Sequence, residues 1–423
     1  MQVLNIAIYW FRNDLRLLDN QAFSKAAQST DFLLPIYIHD ERTNSSTKWN
    51  FLRVGERRKD FLNASLNDLR SQLRELGSDL IELVGDSKVL FEEIRKVNSI
   101  EQIFCEKIQA PEELEQIKEL MDLGFHVKSI WQSSMLDPKS LPFDLAQMPN
   151  IFTQFRQLIE KNQLRFTKPF EATRDIPPVP KLCITFDSKS QSDSSKLDML
   201  FKGGERRALA HVKQYFDRRL VDSYKETRNQ LIGLDYSTKF SPWLALGCIS
   251  PRSIANQLQE YEDKFGENDG TYWLWFELLW RDYFRFLFFK FGKRLFHAKG
   301  LADQKPPPFD ELKFRKWTTG TTGSSLIDAG MRELGETGFL SNRMRQIVSS
   351  FWIYEMNGDW QAGAAWFESQ LIDFDVYSNQ GNWLYISGRG TDPRGGRAFN
   401  LIKQANEYDP EGIYQRMWLK NQY

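Results

Sequence analysis

At 423 residues the chain is longer than one hydrophobic core of ordinary size organises, which sets two domains as the starting expectation. Its 41% hydrophobic and 26% charged residues exclude a disordered chain, and no apolar run approaches the roughly 20 residues of a membrane span. Lys plus Arg equals Asp plus Glu at 56 each, so any nucleic-acid site must be a local feature and not a property of the whole surface.

The opening MQVLNIAIYWFRNDLR reads directly as a strand and lacks the basic, apolar and small-residue parts of a signal peptide. Further short apolar runs follow at 32–38, 79–84, 100–105 and 125–131. Between them lie stretches such as 57–77, whose Phe61, Leu62, Leu66, Leu69, Leu73 and Leu76 fall at helical spacing. This alternation predicts βαβ units around a parallel sheet, a Rossmann-like α/β domain over residues 1–131. No GxGxxG and no GKS or GKT follows the first strand, so the dinucleotide and P-loop fingerprints are absent from it. Cys105, Cys183 and Cys248 are odd in number and scattered, which argues against a disulfide framework and a CxxC metal site and predicts a reducing, cytoplasmic location.

Residues 132–204 read as an interdomain linker, with one short helix near MPNIFTQF and then DIPPVPKLCITFDSKSQSDSSK, rich in Pro, Ser and Lys. From 205 to 423 the pattern is helical, interrupted by loops at 305–309, 318–323 and 387–397, and predicts an all-α domain. Eleven of the 13 tryptophans lie after residue 130, which concentrates aromatic surface in this part.

Four segments of the helical part carry residues that a plain core does not need. In STKFSPWLALG, hydroxyls and free N–H groups before an apolar helix suit a phosphate, although Ser241-Pro242 equally suits a helix first turn. In 271–289 an almost wholly apolar helix carries Glu277, Arg281, Asp282 and Arg285; Glu277 and Arg281 share a face with Trp280 and read either as an intrahelical ion pair or as working groups. Asn342, Arg343, Arg345 and Gln346 interrupt the apolar positions of a third segment. The fourth places Asp373, Asp375, Asn379, Trp383 and Tyr385 in what reads as a loop, where carboxylates near arginines fit an ion-pair network as well as a site.

The runs YKETR, STKFSPWLALG, FELLWRDYFRF, WTTGTTGSSLIDAGMRELGETGFLSNRMRQ and WFESQLIDFDVYSNQGNW resemble the flavin-binding domain of photolyases and cryptochromes, and YWFRNDLRLLDN resembles that family's α/β domain. Gln346 after NRMR, Tyr385 after GNW and the GRGTDPR run are similar to the DASH cryptochromes. The resemblance implies FAD, with Tyr224, Ser237, Thr238, Lys239, Phe240 and Ser241 at its phosphates and ribityl chain. It sets Arg345 and Asp373 beside the isoalloxazine, Asp375 at the N3 and O4 edge and Asn379 facing N5, with Glu277, Trp280, Arg281 and Asn342 completing the cofactor set. It also implies a substrate cavity of Arg228, Glu277, Trp280, Asn342, Arg343, Gln346, Tyr385 and Arg397, with Glu277, Asn342 and Asn379 as catalytic residues.

Trp383 and Trp360 match the proximal and middle members of the family's electron relay, whereas no tryptophan stands about ten residues before Trp317, where the surface member is expected; a tyrosine or another tryptophan such as Trp352 would have to substitute. Ile108 stands where folate-binding members carry Glu, which argues against a methenyltetrahydrofolate antenna. The implied function is light-driven repair of cyclobutane pyrimidine dimers by electron transfer from reduced FAD, on damaged DNA and preferably single strands, with no membrane or protein partner evident. The alternatives are a blue-light photoreceptor without repair activity, and a flavoprotein of this fold that has lost light repair.

Overall fold

A computed structural model describes residues 5–98, 100, 102–180 and 201–419. Cys183 and most of the Pro/Ser/Lys-rich run lie outside the described residues. The first half holds strands β1 (Ile6–Phe11), β2 (Phe32–His39), β3 (Ile81–Val84), β4 (Gln102–Glu106) and β5 (His126–Ile130), with helices α1 (Gln21–Gln28), α2 (Glu56–Glu75), α3 (Ser87–Asn98) and α4 (Pro111–Asp122). Every strand pairing is parallel, in the order β3-β2-β1-β4-β5, with Ile8 opposite Leu34 on one side and Ile103 on the other. Central strands in such a sheet are covered on both faces and need continuous apolar runs. Ala7 through Phe11 are accordingly all buried, and β1 sits at the centre.

Next comes α5 (Phe152–Lys161), then α6 (Glu205–Asp217), the single turns α7 (Tyr224–Thr227) and α8 (Ser241–Ala245), and α9 (Pro251–Phe265). The rest comprises α10 (Asp269–Phe291), α11 (Glu311–Thr318), α12 (Ser325–Thr337), α13 (Asn342–Ser350), α14 (Trp360–Gln370), α15 (Val376–Ile386), α16 (Leu401–Tyr408) and α17 (Ile413–Leu419). The helix α10 is the central beam: it is started by an Asn268–Thr271 capping box and touches α5, α7, α9 and α15. Its apolar residues face all round because it is surrounded.

The two halves are joined by buried hydrogen bonds. Leu15 N donates to Leu246 O at 3.1 Å, and Glu205 accepts from the N–H groups of Leu17 and Leu18 at 2.9 Å each. Asp282 of α10 accepts from the N–H groups of Met135 and Leu136 at 2.9 and 2.8 Å, so the segment after β5 is tied to the helical half. Gly247 holds a positive φ of 64°, and a Cβ there would come within 1.9 Å of Asn13 O, so only glycine allows this approach.

Candidate functional site

The polar residues of the helical half gather where α10, α13 and α15 meet. On α10, Glu277 is paired with Arg228, Nη1 to Oε1 at 3.1 Å, and not with Arg281. The intrahelical Glu277–Arg281 pair is therefore corrected: Arg281 donates to Ser133 O at 2.5 Å and Leu244 O at 3.2 Å, because those carbonyls face the same side of α10. Removal from water raises the Glu277 carboxyl above its ordinary range, and Arg228 only partly offsets this. Arg228 also lies 4.4 Å over the Trp273 ring, a partner the sequence reading missed.

Trp280 forms the aromatic floor. Phe152 stacks on it at 3.6 Å and 12°, and Tyr385 meets it edge-on at 5.6 Å. Phe152 comes from the stretch read as a linker, so its only sequence signal was an aromatic in a short amphipathic run. Arg397 lies 4.7 Å over the Tyr385 ring, donates to its hydroxyl at 2.9 Å, and is held by Asp392 at 3.1 Å. Arg343 donates to Gln346 and to Asn229 and lies over Tyr408 at 4.6 Å. Arg228, Arg343 and Arg397 thus bring three guanidinium groups to one region, close enough that Arg228 and Arg397 both depress Arg343, behind the larger effect of burial.

On α13, Asn342 is exposed at the first position and Arg345 reaches Asp373 at 2.7 Å while also donating to Leu340 O. Asp373 uses Oδ2 in this pair, and its buried Oδ1 has no partner among the described residues. Asp375 is the N-cap of α15, accepting from Ser378 N at 2.7 Å, and its carboxylate is clamped by Arg285. Burial works to raise Asp375, but Arg285 and Arg281 outweigh it and hold the group below the ordinary carboxylate range. The loop expected over 373–385 is corrected as well: Asn379, Trp383 and Tyr385 stand on α15, because the Asp375 cap begins a helix there. Asn379 donates through Nδ2 to Ala364 O at 3.0 Å, a bond that engages its amide nitrogen and not its amide oxygen.

The STKFS segment is a tight loop. Lys239 has a φ of 54°, and His211 bonds the carbonyl of Thr238 at 2.8 Å. The Lys239 ammonium is buried over the rings of Tyr236 and Phe339, at 3.5 and 4.8 Å, and takes part in no ion pair among the described residues. Burial, aided by Arg345, pulls it down to about 7 against the pull of Glu333 and Asp373. Tyr224 is buried, Ser237 and Thr238 are half-buried, Phe240 is buried, and Ser241 opens α8 at the surface. A buried cation without an anion and a buried carboxylate oxygen without a donor are the features a phosphate-bearing, N–H-bearing cofactor would complete, so the residues fit FAD.

Of the remaining expectations, Ile108 is buried and lines a small cavity between the halves with Arg16, Glu106, Arg281, Arg285 and Tyr377. Trp360 is buried and donates to Ala298 O at 2.9 Å, and Trp383 is buried in α15. Cys105 and Cys248 are free and buried. Among the described residues no helix is long and apolar enough to cross a membrane.

Residues 7–178 match the family described as DNA photolyase, and residues 273–422 match the FAD binding domain of DNA photolyase. Cryptochrome DASH of Synechocystis sp. is 41% identical over 425 residues, which take in 97% of this chain and 87% of that protein. The chloroplastic/mitochondrial cryptochrome DASH of Arabidopsis thaliana is 42% identical over 436 residues, covering 98% and 75%. Among solved structures, a Synechocystis cryptochrome matches with a TM-score of 0.94 at 40% identity, covering 99% of this chain and 90% of the other. A class III photolyase from Agrobacterium tumefaciens matches with a TM-score of 0.82 at 26% identity, covering 99% and 87%.

Proposed function

The chain belongs to the photolyase and cryptochrome family, and we propose that it repairs cyclobutane pyrimidine dimers under near-ultraviolet or blue light, with a preference for single-stranded DNA and in a reducing, cytoplasmic setting. When bound, reduced FAD supplies the electron that opens the dimer and recovers it afterwards. The chain's own residues do the rest. Tyr224, the STKFS loop and Lys239 hold the phosphate end, and the Arg345–Asp373 pair, Asp375 and Asn379 fix the flavin edge.

The observation that carries the repair reading is the walled floor of Trp280 and Tyr385, with Glu277 next to it and the Nε atoms of Arg228 and Arg343 buried without partners among the described residues. Flipped pyrimidines stack on such rings, and the guanidinium groups meet the phosphates on either side. Glu277, shifted toward its neutral form, is able to donate a hydrogen bond to a pyrimidine carbonyl. Tyr385, smaller than an indole, gives less stacking to offset the few kcal/mol of extracting a lesion from a duplex. That supports the single-strand preference. Ile108, an apolar residue in the cavity between the halves, supports a methenyltetrahydrofolate antenna that is either missing or held differently.

The test is to illuminate the reduced protein with a thymine-dimer oligonucleotide, single-stranded and duplex, and to follow dimer loss. Light-dependent loss, faster on the single strand, is expected. No loss on either leaves the photoreceptor reading; equal rates remove the strand preference. Glu277→Ala should retain FAD and lower the yield by about tenfold.

A further inference from the structure

The cation at the expected phosphate end is steadied by a helix from the far end of the chain. Tyr414 of α17 is fully buried, and its hydroxyl donates to Oε2 of Glu333, which stands half-buried on α12. Two features hold the hydroxyl there. Asp409 caps α17, accepting from the N–H groups of Tyr414 and Gln415 at 2.9 and 3.1 Å and from the Gln415 side-chain amide at 2.9 Å. On α12, a Cβ added to Gly330 would lie 2.5 Å from Met344 Cε and 3.7 Å from the Tyr414 hydroxyl, so a glycine lets α13 and α17 both close on α12.

Neither Glu333 nor Lys239 takes part in an ion pair among the described residues, yet each feels the charge of the other between α12 and the STKFS loop. Arg345 of α13 and Asp373 also reach Lys239, but these two are already paired with each other at 2.7 Å. Tyr236, whose ring lies 3.5 Å from the ammonium, faces Glu333 as well. His211 of α6 bonds Thr238 O, and burial lowers it, so it stays neutral. Among the described residues, Glu333 is therefore the carboxylate within reach of Lys239 that no guanidinium already binds.

Burial lifts Glu333 to about 7, against Tyr414, Lys239 and Arg345, and brings Lys239 down to about 7. Below this range the two are a neutral carboxyl and an ammonium, which suits a diphosphate. Above it they are a carboxylate and an amine, which does not. The Tyr414 hydroxyl favours the carboxylate and so sets where the change falls.

We propose that Tyr414 and Glu333 are positioning residues for Lys239, through which the C-terminal helix α17 governs how firmly the phosphate end of the cofactor is held. With the carboxyl neutral, Lys239 is free to face the phosphates. With the carboxyl charged, it draws the ammonium toward α12 and repels the phosphates, and release quickens. The proton leaves to solvent and no covalent bond changes. A bound diphosphate draws both groups upward, so the loaded protein makes the change above about 7.

This inference rests on FAD lying at Lys239, so the purified protein is first checked for the visible flavin band. Its absence overturns the cofactor reading and this inference with it; a band with the wrong pH profile overturns the inference alone. FAD release from the loaded protein after dilution is followed by flavin fluorescence from mildly acid to mildly alkaline pH, in parent, Glu333→Gln, Tyr414→Phe and Gln415→Ala proteins. The parent should release about tenfold faster at the alkaline end, and Glu333→Gln should cut that rise by about threefold or more. Tyr414→Phe should keep the slow acid limb and move the rise to higher pH, because the carboxyl loses the hydrogen bond that favours its charge. Gln415→Ala removes a cap contact of α17 without touching Glu333, so its midpoint should stay at the parent's. Glu106 changes charge at about 8 but faces Asp14 and Arg16 at the seam, so it contributes equally to all four proteins and cancels. Melting temperature identifies any variant that misfolds, and Glu333→Gln carries the test if Tyr414→Phe is one. Superimposable profiles in parent and Glu333→Gln overturn the proposal, as does a folded Tyr414→Phe protein that releases faster at every pH.

Discussion

The seam between the halves and the cleft of the helical half both bury charge, yet they complete it differently. At the seam, Glu205 and Asp282 each accept two backbone N–H groups, and Asp19 accepts from Arg252 at 2.8 Å and from Phe170 N at 2.8 Å. In the cleft, and among the described residues, Asp373 leaves an oxygen without a partner, Arg228 and Arg343 leave Nε without one, and Lys239 takes part in no ion pair. Burying an unfinished polar group costs about 1–3 kcal/mol, more when it is charged. The seam is not wholly finished either, since both Glu106 oxygens and Arg252 Nη2 lack partners among the described residues. Glu205, Asp282 and Asp19 are nonetheless each doubly satisfied there, and the unfinished groups of the cleft lie where a ligand would restore the stability they cost.

The largest expected effect is at the seam. Asp282→Ala orphans the N–H groups of Met135 and Leu136 and should lower stability in urea by about 2–6 kcal/mol, at two groups of about 1–3 each. FAD affinity of the folded fraction should not change. A loss below about 1 kcal/mol would show that the seam does not hold the halves together.

Next is Glu106, at the end of β4. Burial, with Asp14 adding to it, pushes this carboxyl up to about 8, against Arg16, Arg285 and Arg12, and neither oxygen has a partner among the described residues. The folded state therefore holds the proton more tightly than the unfolded chain, whose group titrates near 4.5. Stability from this group is complete below 4.5 and falls away as pH rises to about 8. Glu106→Gln should match the parent at the acid end and be the more stable protein at the alkaline end, as read by melting temperature against pH. Parallel curves would remove the assignment.

The smallest effect is in the cleft. Arg343→Ala should leave the melting temperature nearly unchanged and reduce the salt dependence of single-strand binding by a slope of about 1, one phosphate contact fewer. An unchanged slope would take Arg343 out of the DNA interface.

The parallel sheet was legible because its central strands need unbroken apolar runs, and α2 because its leucines keep helical spacing. The helix α15 was not. Its polar residues and Gly381 disrupt the periodicity, since buried neighbours surround it. The site residues were legible as types, through their resemblance to a family, but their partners were not. Arg285 and Asp375 stand 90 positions apart, and Phe152 reaches Trp280 from another part of the chain. Nothing local in a sequence announces such pairs.

The main-chain bond from Leu15 to Leu246 makes the first loop of the α/β half a buttress for α8. A backbone bond survives exchange of the side chains at its two ends, so this joint tolerates sequence change as long as Gly247 is kept. Heat that loosens one half withdraws a wall from the other, so coincident unfolding of the two halves in a calorimetric scan is the expected outcome.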